Sequence, residues 1–359
     1  MLWRDPAIRL RCERGVRGVS SFRFVVLLAV VIAGRAIPAG SQVISGVQAP
    51  GGASTSGAPA PEAVKGLIAA LKDKDAKVRQ TAILSLGRIG DDAKPAVPAL
   101  VEALKDPDVD VRGAAAVAIG GLGEDDELVV PGLTGLLKDE DQDVRGASAL
   151  ALSRIGQVAA PAVPALIELA KQENKQNQLY ARCALIGLGD ESENHLALVA
   201  EALSDKTPQV RSTAAFVLGE LGPIAKSAVP ELASALRDQA VEVRQAVTRA
   251  LVEMGPDGKD AVQGLADALG DPDVEVRVTA ATALGEIGPL AAAAVRKLVA
   301  ALKDKNVEVR TAAIYALAEI GPGARTATPA LTEMLKDPDA GVRRAAAEAL
   351  GLVASGQAD

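Results

Sequence analysis

Few residues in this chain can do chemistry, and most of those recur at one fixed spacing. There is one histidine, His195, and there are two cysteines, Cys12 and Cys183. No Cys-x-x-Cys, P-loop or Gly-x-Ser-x-Gly elbow is present. His195 ends a polar stretch, Asp190–His195 (DESENH), and is expected to be an exposed, solvated side chain rather than a base or a metal ligand. The abundant charged groups stand in register. Asp73/Arg79, Asp106/Arg112, Asp139/Arg145, Asp205/Arg211, Asp238/Arg244, Asp271/Arg277, Asp304/Arg310 and Asp337/Arg343 are each six residues apart, on a 33-residue grid with one gap, where Gln172 and Gln178 stand. An ion pair repeated at every step suits a structural ladder: each Arg can reach the Asp of its own or the adjacent repeat.

The elements that carry these pairs follow from the same grid. Counting from each Arg as zero, apolar residues recur at +3, +7 and +10, as in Ala280, Leu284 and Ile287. That is helical spacing with one buried stripe. The Asp at −6 is expected to cap this helix, with Pro107, Pro272 and Pro338 at its first position. A Gly at +11, from Gly90 to Gly321, is expected to end it in the left-handed conformation, with Pro223, Pro256, Pro289 and Pro322 preventing continuation. A shorter helix follows, as in Ala96–Lys105, opened by Pro98 and buried through Leu100 and Leu104. Each unit is thus two antiparallel helices that hide their apolar stripes only by stacking. The expected fold is an all-α solenoid of nine 33-residue two-helix repeats over residues 62–354, with about eighteen helices and no strand.

The pattern D-x-D-x-x-V-R-x-x-A-A-x-A-L-G-x-I-G followed by A-V-P-x-L-x-x-x-L resembles the HEAT-like repeats named after the phycobilisome lyases. The resemblance covers roughly Glu62–Ala354 and implies the fold far more than a function, since such families mix lyase subunits, a hydroxylase and binding scaffolds. The iron-binding hydroxylases use His-Glu pairs, which are absent here. HEAT-like alkylpurine glycosylases need a basic, aromatic-lined concave face, which this chain also lacks. No cofactor, metal or catalytic residue is expected.

In such arrays the second helix of each repeat lines the concave surface, so positions facing away from the stripe should align there as lanes. The +5 lane reads Leu84, Val117, Leu150, Cys183, Phe216, Arg249, Thr282, Tyr315, Glu348. The +9 lane carries Glu220, Glu253, Glu286 and Glu319 in its C-terminal half. The expectation is a groove, apolar then acidic, for a protein or extended peptide, with Tyr180 beside it. The alternative is a set of solvated positions with drift. Repeat four departs from the pattern together at Gln172, Asn177, Gln178, Tyr180 and Arg182, which fits either a partner site, a flexure point or a tolerated degenerate repeat.

The first residues lie outside the array. Six arginines between Arg4 and Arg23 precede an apolar run of 11 residues, Phe24–Gly34. A transmembrane helix needs about 20, so residues 1–41 are expected to form a signal peptide, or else an uncleaved membrane tether through residues 24–34. Residues 42–61, rich in Gly, Ala, Pro and Ser, are expected to be a linker, and residues 355–359 a tail. Without the leader's seven Arg and two acidic residues the formal charge of −7 becomes −12, and Cys183 is the one cysteine left. Such an acidic chain does not suit nucleic acid, whose binding rests on phosphate neutralisation. The expected protein is a monomeric, exported (periplasmic or extracellular), non-enzymatic scaffold. The alternative is a lyase- or chaperone-like accessory subunit acting on a cofactor-bearing client with a partner chain.

Overall fold

A computed structural model describes residues 61–122 and 128–354. The expected leader, most of the linker and the tail therefore lie outside the described residues. The chain divides into two compact units, Met1–Asp190 and Glu191–Asp359. Among the described residues every regular element is helical.

In the first unit, short helices α1 (Pro61–Ala70), α3 (Val97–Ala103), α5 (Val129–Leu136) and α7 (Val163–Ala170) alternate with longer ones. The longer helices are α2 (Ala76–Ile89), α4 (Val109–Leu122), α6 (Gln142–Ile155) and α8 (Lys175–Gly187). The second unit repeats the scheme. Its short helices are α9 (His195–Glu201), α11 (Val229–Ala235), α13 (Val262–Ala268), α15 (Val295–Ala301) and α17 (Thr328–Met334). Its long ones are α10 (Pro208–Leu221), α12 (Val241–Met254), α14 (Val274–Ile287), α16 (Val307–Ile320) and α18 (Ala340–Ala354). Within each unit every long helix packs on its own short helix and on the long helix of the next pair, the arrangement of an α-solenoid. The stripe read from the sequence is the core: Ala280 and Leu284 are wholly buried, as are Leu100 and Leu166.

The helix ends depart from expectation in an instructive way. The long helices start at −3, not −5, and the residue at −4 is the cap. Asp75, Asp141, Asp273 and Asn306 hold extended backbone there and accept first-turn N–H groups. The Asp at −6 lies in the preceding turn, where Asp106 accepts from the N–H of Asp108 at 2.9 Å. Pro107, Pro272 and Pro338 lie in that turn too; Pro208 is the proline that opens a long helix.

At the other end, Gly90, Gly156, Gly222, Gly255, Gly288 and Gly321 have φ between +52° and +73°. Their ψ values, near −140° at Gly288, lie outside the left-handed helical well and in a region that only glycine enters without strain. The following prolines then open a 3-10 run, such as Gly288–Ala294, that leads into the next short helix.

Candidate interaction faces and the Asp–Arg ladder

The repeated ion pair has a fixed direction. Each ladder Arg reaches forward to the Asp 27 residues ahead, in the next repeat, through two parallel bonds. Arg277 Nε and Nη2 donate to Asp304 at 2.8 and 3.2 Å. The same fork joins Arg79 to Asp106, Arg112 to Asp139, Arg211 to Asp238, Arg244 to Asp271 and Arg310 to Asp337. The third guanidinium nitrogen points back: Arg277 Nη1 donates to the backbone carbonyls of Asp271 and Pro272 at 2.9 and 3.2 Å. One side chain thus fastens its own turn and the next one, in a fork geometry that lysine could not supply.

The electrostatics follow. The hydrogen bond from Asp106 raises the pKa of Arg79, and that from Asp139 raises the pKa of Arg112. Burial pushes Asp304 up, but the Asn306 N–H and the Arg277 guanidinium outweigh it and hold its carboxyl below the ordinary range. Asp238 is lowered chiefly by its bond to Arg211. The ladder is a structural device, charged on both sides at neutral pH.

Repeat four shows how the ladder accommodates a gap. Gln172 cannot receive the Arg145 fork. Instead Asn177, buried where its counterparts are Val, turns its amide oxygen to Arg145 Nε at 3.1 Å and its nitrogen to the Gln142 carbonyl at 3.0 Å. Arg145 Nη1 keeps its bond to the Asp139 carbonyl. Gln178 keeps the backward contact of the Arg it replaces, with Nε2 2.6 Å from the Gln172 carbonyl. The departures compensate one another.

The lanes divide by unit. In the first unit the expected apolar groove is not a surface: Val117, Leu150 and Cys183 are 6%, 1% and 0% exposed, and Tyr180 is buried with them. Apolar side chains in register on adjacent helices shield one another, and these join the core, with Cys183 Sγ 3.6 Å from Ser153 Oγ. Leu84, at the edge of that row, stays half-buried. In the second unit the same lane opens. Phe216 and Arg249 are half-buried, and Tyr315 is 45% exposed.

Glu220 is half-buried, while Glu253, Glu286 and Glu319 are exposed on the same helix face. Partial burial and the neighbouring Glu319 charge raise the pKa of Glu286. Arg249 Nη2 lies 3.2 Å from Glu275, so a basic group already sits among these carboxylates. His195 is another correction: it opens α9 and is buried, with Nδ1 4.0 Å from Glu193. The start of a helix packed against its neighbours covers it, which the polar sequence around it concealed. Among the described residues no cluster of side chains could hold a metal ion.

A family model described as HEAT repeats matches residues 53–120, 97–181, 196–274 and 262–351. No curated protein sequence matches. Similar solved structures include an engineered protein, at 24% identity over 81% of this chain and 88% of that one, with a TM-score of 0.46. The complex of CpcE and CpcF of phycocyanin lyase from Nostoc sp. PCC7120 is 24% identical over 85% of this chain and 97% of that one, with a TM-score of 0.43. A mutant of Kap121p is 14% identical over 82% of this chain and 41% of its own, at 0.44. With the helix pairs, the repeated glycine stop and the family match together, this chain belongs to the HEAT-repeat family.

Proposed function

We propose that the protein is a non-enzymatic, exported scaffold that holds a protein or an extended peptide along the long-helix face of its second unit. The observation that supports this reading is Tyr315, 45% exposed in a lane whose neighbours across the face are Glu286 and Glu319. An exposed aromatic beside crowded carboxylates offers a partner both an anchor and a charge preference, and such anchors dominate binding energy. The acidic balance of the chain disfavours nucleic acid. Export rests on the basic, then apolar, order of residues 4–34.

The test has two parts. The full chain, immobilised, is used to capture partners from a periplasmic or culture extract, in parallel with Tyr315→Ala and Lys303→Ala. A partner lost with Tyr315→Ala and kept with Lys303→Ala supports the reading; identical capture by all three sinks it. Mass spectrometry of the mature N-terminus tests export, and an unprocessed cytoplasmic chain would favour an accessory-subunit role instead.

A further inference from the structure

The ladder has a direction, so the two ends of the array are different and complementary. Asp73 holds the first ladder carboxylate. It accepts the Asp75 N–H at 2.8 Å, and the residue 27 positions before it is Gly46, which has no guanidinium to offer. Among the described residues no arginine reaches Asp73. At the other end, Arg343 makes its backward contacts, Nη1 to the carbonyls of Asp337 at 2.7 Å and Pro338 at 2.9 Å. Among the described residues its Nε and Nη2, the forward fork, meet no carboxylate.

The apolar surface follows the same logic. Leu335 is 38% exposed, whereas its counterparts Leu236 and Leu302 are 4% and 1% exposed. Ala347 and Gly351 are exposed, while Ala281 and Ile314, at the position of Ala347, are wholly buried. At the first end Val78 is 41% exposed, against 0% for Val111, Val276 and Val309. Solenoids that stand alone present polar outer faces on their terminal repeats. Here the faces left open have the shape and the half-pair of an internal junction.

We propose that copies of this chain join head to tail, the last described helix pair of one docking on the first helix pair of another, with Arg343 forking onto Asp73 of the second copy. Such a contact is heterologous and leaves a free end at each side, so it propagates instead of stopping at a dimer. This differs from the monomer expected from the sequence, and it does not rest on the binding face proposed above. Small side chains at Ala347 and Gly351 admit close helix approach, as Gly285 does where its added Cβ would lie 3.3 Å from Ala316.

The test is sedimentation velocity on the full chain across a wide concentration range, at low and high salt. Average mass should rise with concentration, and the rise should weaken with salt. Asp73→Arg and Arg343→Asp should each weaken association about tenfold or more, because like charges then meet. Mixing the two variants should restore it, since every basic end again finds an acidic one. Arg343→Gln is a milder control that preserves the backward contact, as Gln178 does, and thermal melts verify that each variant folds. A wild-type chain that stays monomeric throughout, or assembly that survives both reversals, overturns the proposal. So does a mixture that fails to reassociate.

Discussion

Gly146 on α6 and Tyr180 on α8 are fitted to each other: a Cβ added to Gly146 would lie 2.7 Å from Tyr180 Cδ2 and 2.9 Å from Cε2. The aromatic ring takes the room that the missing side chain leaves. Gly146→Ala should therefore cost about 1–3 kcal/mol by overpacking, although alanine is the better helix former. In a Tyr180→Ala background the same substitution should be neutral or stabilising by up to about 1 kcal/mol. Chemical denaturation of the four proteins in a double-mutant cycle measures this coupling. Independent, additive effects would show that the ring does not depend on the glycine.

Asp143 offers a pH-dependent test. It stands in the first turn of α6, where burial and then the Asp141 charge push its carboxyl up to about 6, against a lowering by Arg145. A carboxyl raised in the folded state favours folding while protonated, so its contribution falls as pH rises from near 3.8 through about 6. The preference for the neutral form corresponds to about 3 kcal/mol, and the favourable helix start returns about 0.3–1 kcal/mol of it. Asp143→Asn should thus stabilise by about 2 kcal/mol at pH 7.5 and hardly at all at pH 4. Paired urea titrations at the two pH values decide it, and a gain at pH 4 as large as that at pH 7.5 would refute the assignment.

The ladder predicts the opposite sign. Asp304 is held below the ordinary carboxylate value of 3.8, so its stabilisation is complete above that value and disappears as pH falls through the lowered one. Asp304→Asn should cost about 1.5–3 kcal/mol near neutral pH, the range for hydrogen bonds to charged groups. The difference from wild type should close under acid conditions. A cost unchanged in acid would mean that geometry, not charge, carries the pair.

The face assignment can be checked with one helix. Leu284 is wholly buried and Glu286, two residues on, is exposed. Leu284→Ala should cost about 2–5 kcal/mol; Glu286→Ala should change stability by less than about 0.5 kcal/mol. Equal effects would mean that the stripe has been placed on the wrong side of α14.

Binding and folding should separate along the +5 lane. Tyr315→Ala should weaken capture of a partner by about 2 kcal/mol with an unmoved melting temperature. Phe216 is half-buried, so Phe216→Ala should lower both affinity and melting temperature. Isothermal titration with the captured partner, beside a melt of each variant, distinguishes the two. If Tyr315→Ala binds normally, the exposed lane is solvent-facing and nothing more.

The fold was largely legible because a repeat states its own rule many times. The stripe through Leu284, the stop at Gly288 and the pairing of Arg277 each recur in register, and any single copy could be checked against the others. What stayed hidden depended on neighbours. Val117, Leu150 and Cys183 face away from the stripe by helical angle alone, yet side chains on adjacent long helices bury them. His195 looked exposed because its sequence neighbours are polar, while its burial comes from residues distant along the chain. The cap at −4 was missed for a local reason: two Asp residues stand two apart, and both satisfy the general preference of a helix start.

The fork from each arginine to the next repeat makes every internal junction of the second unit interchangeable. Excising residues 255–287 would join Met254 to Gly288 and bring Arg244 to the same separation from Asp304 that it now has from Asp271. Both halves of the bond would be in place without any compensating substitution. Gene duplication or unequal recombination in whole units could therefore lengthen or shorten such a protein without opening its core, so chain length can vary more freely than the sequence of any single repeat.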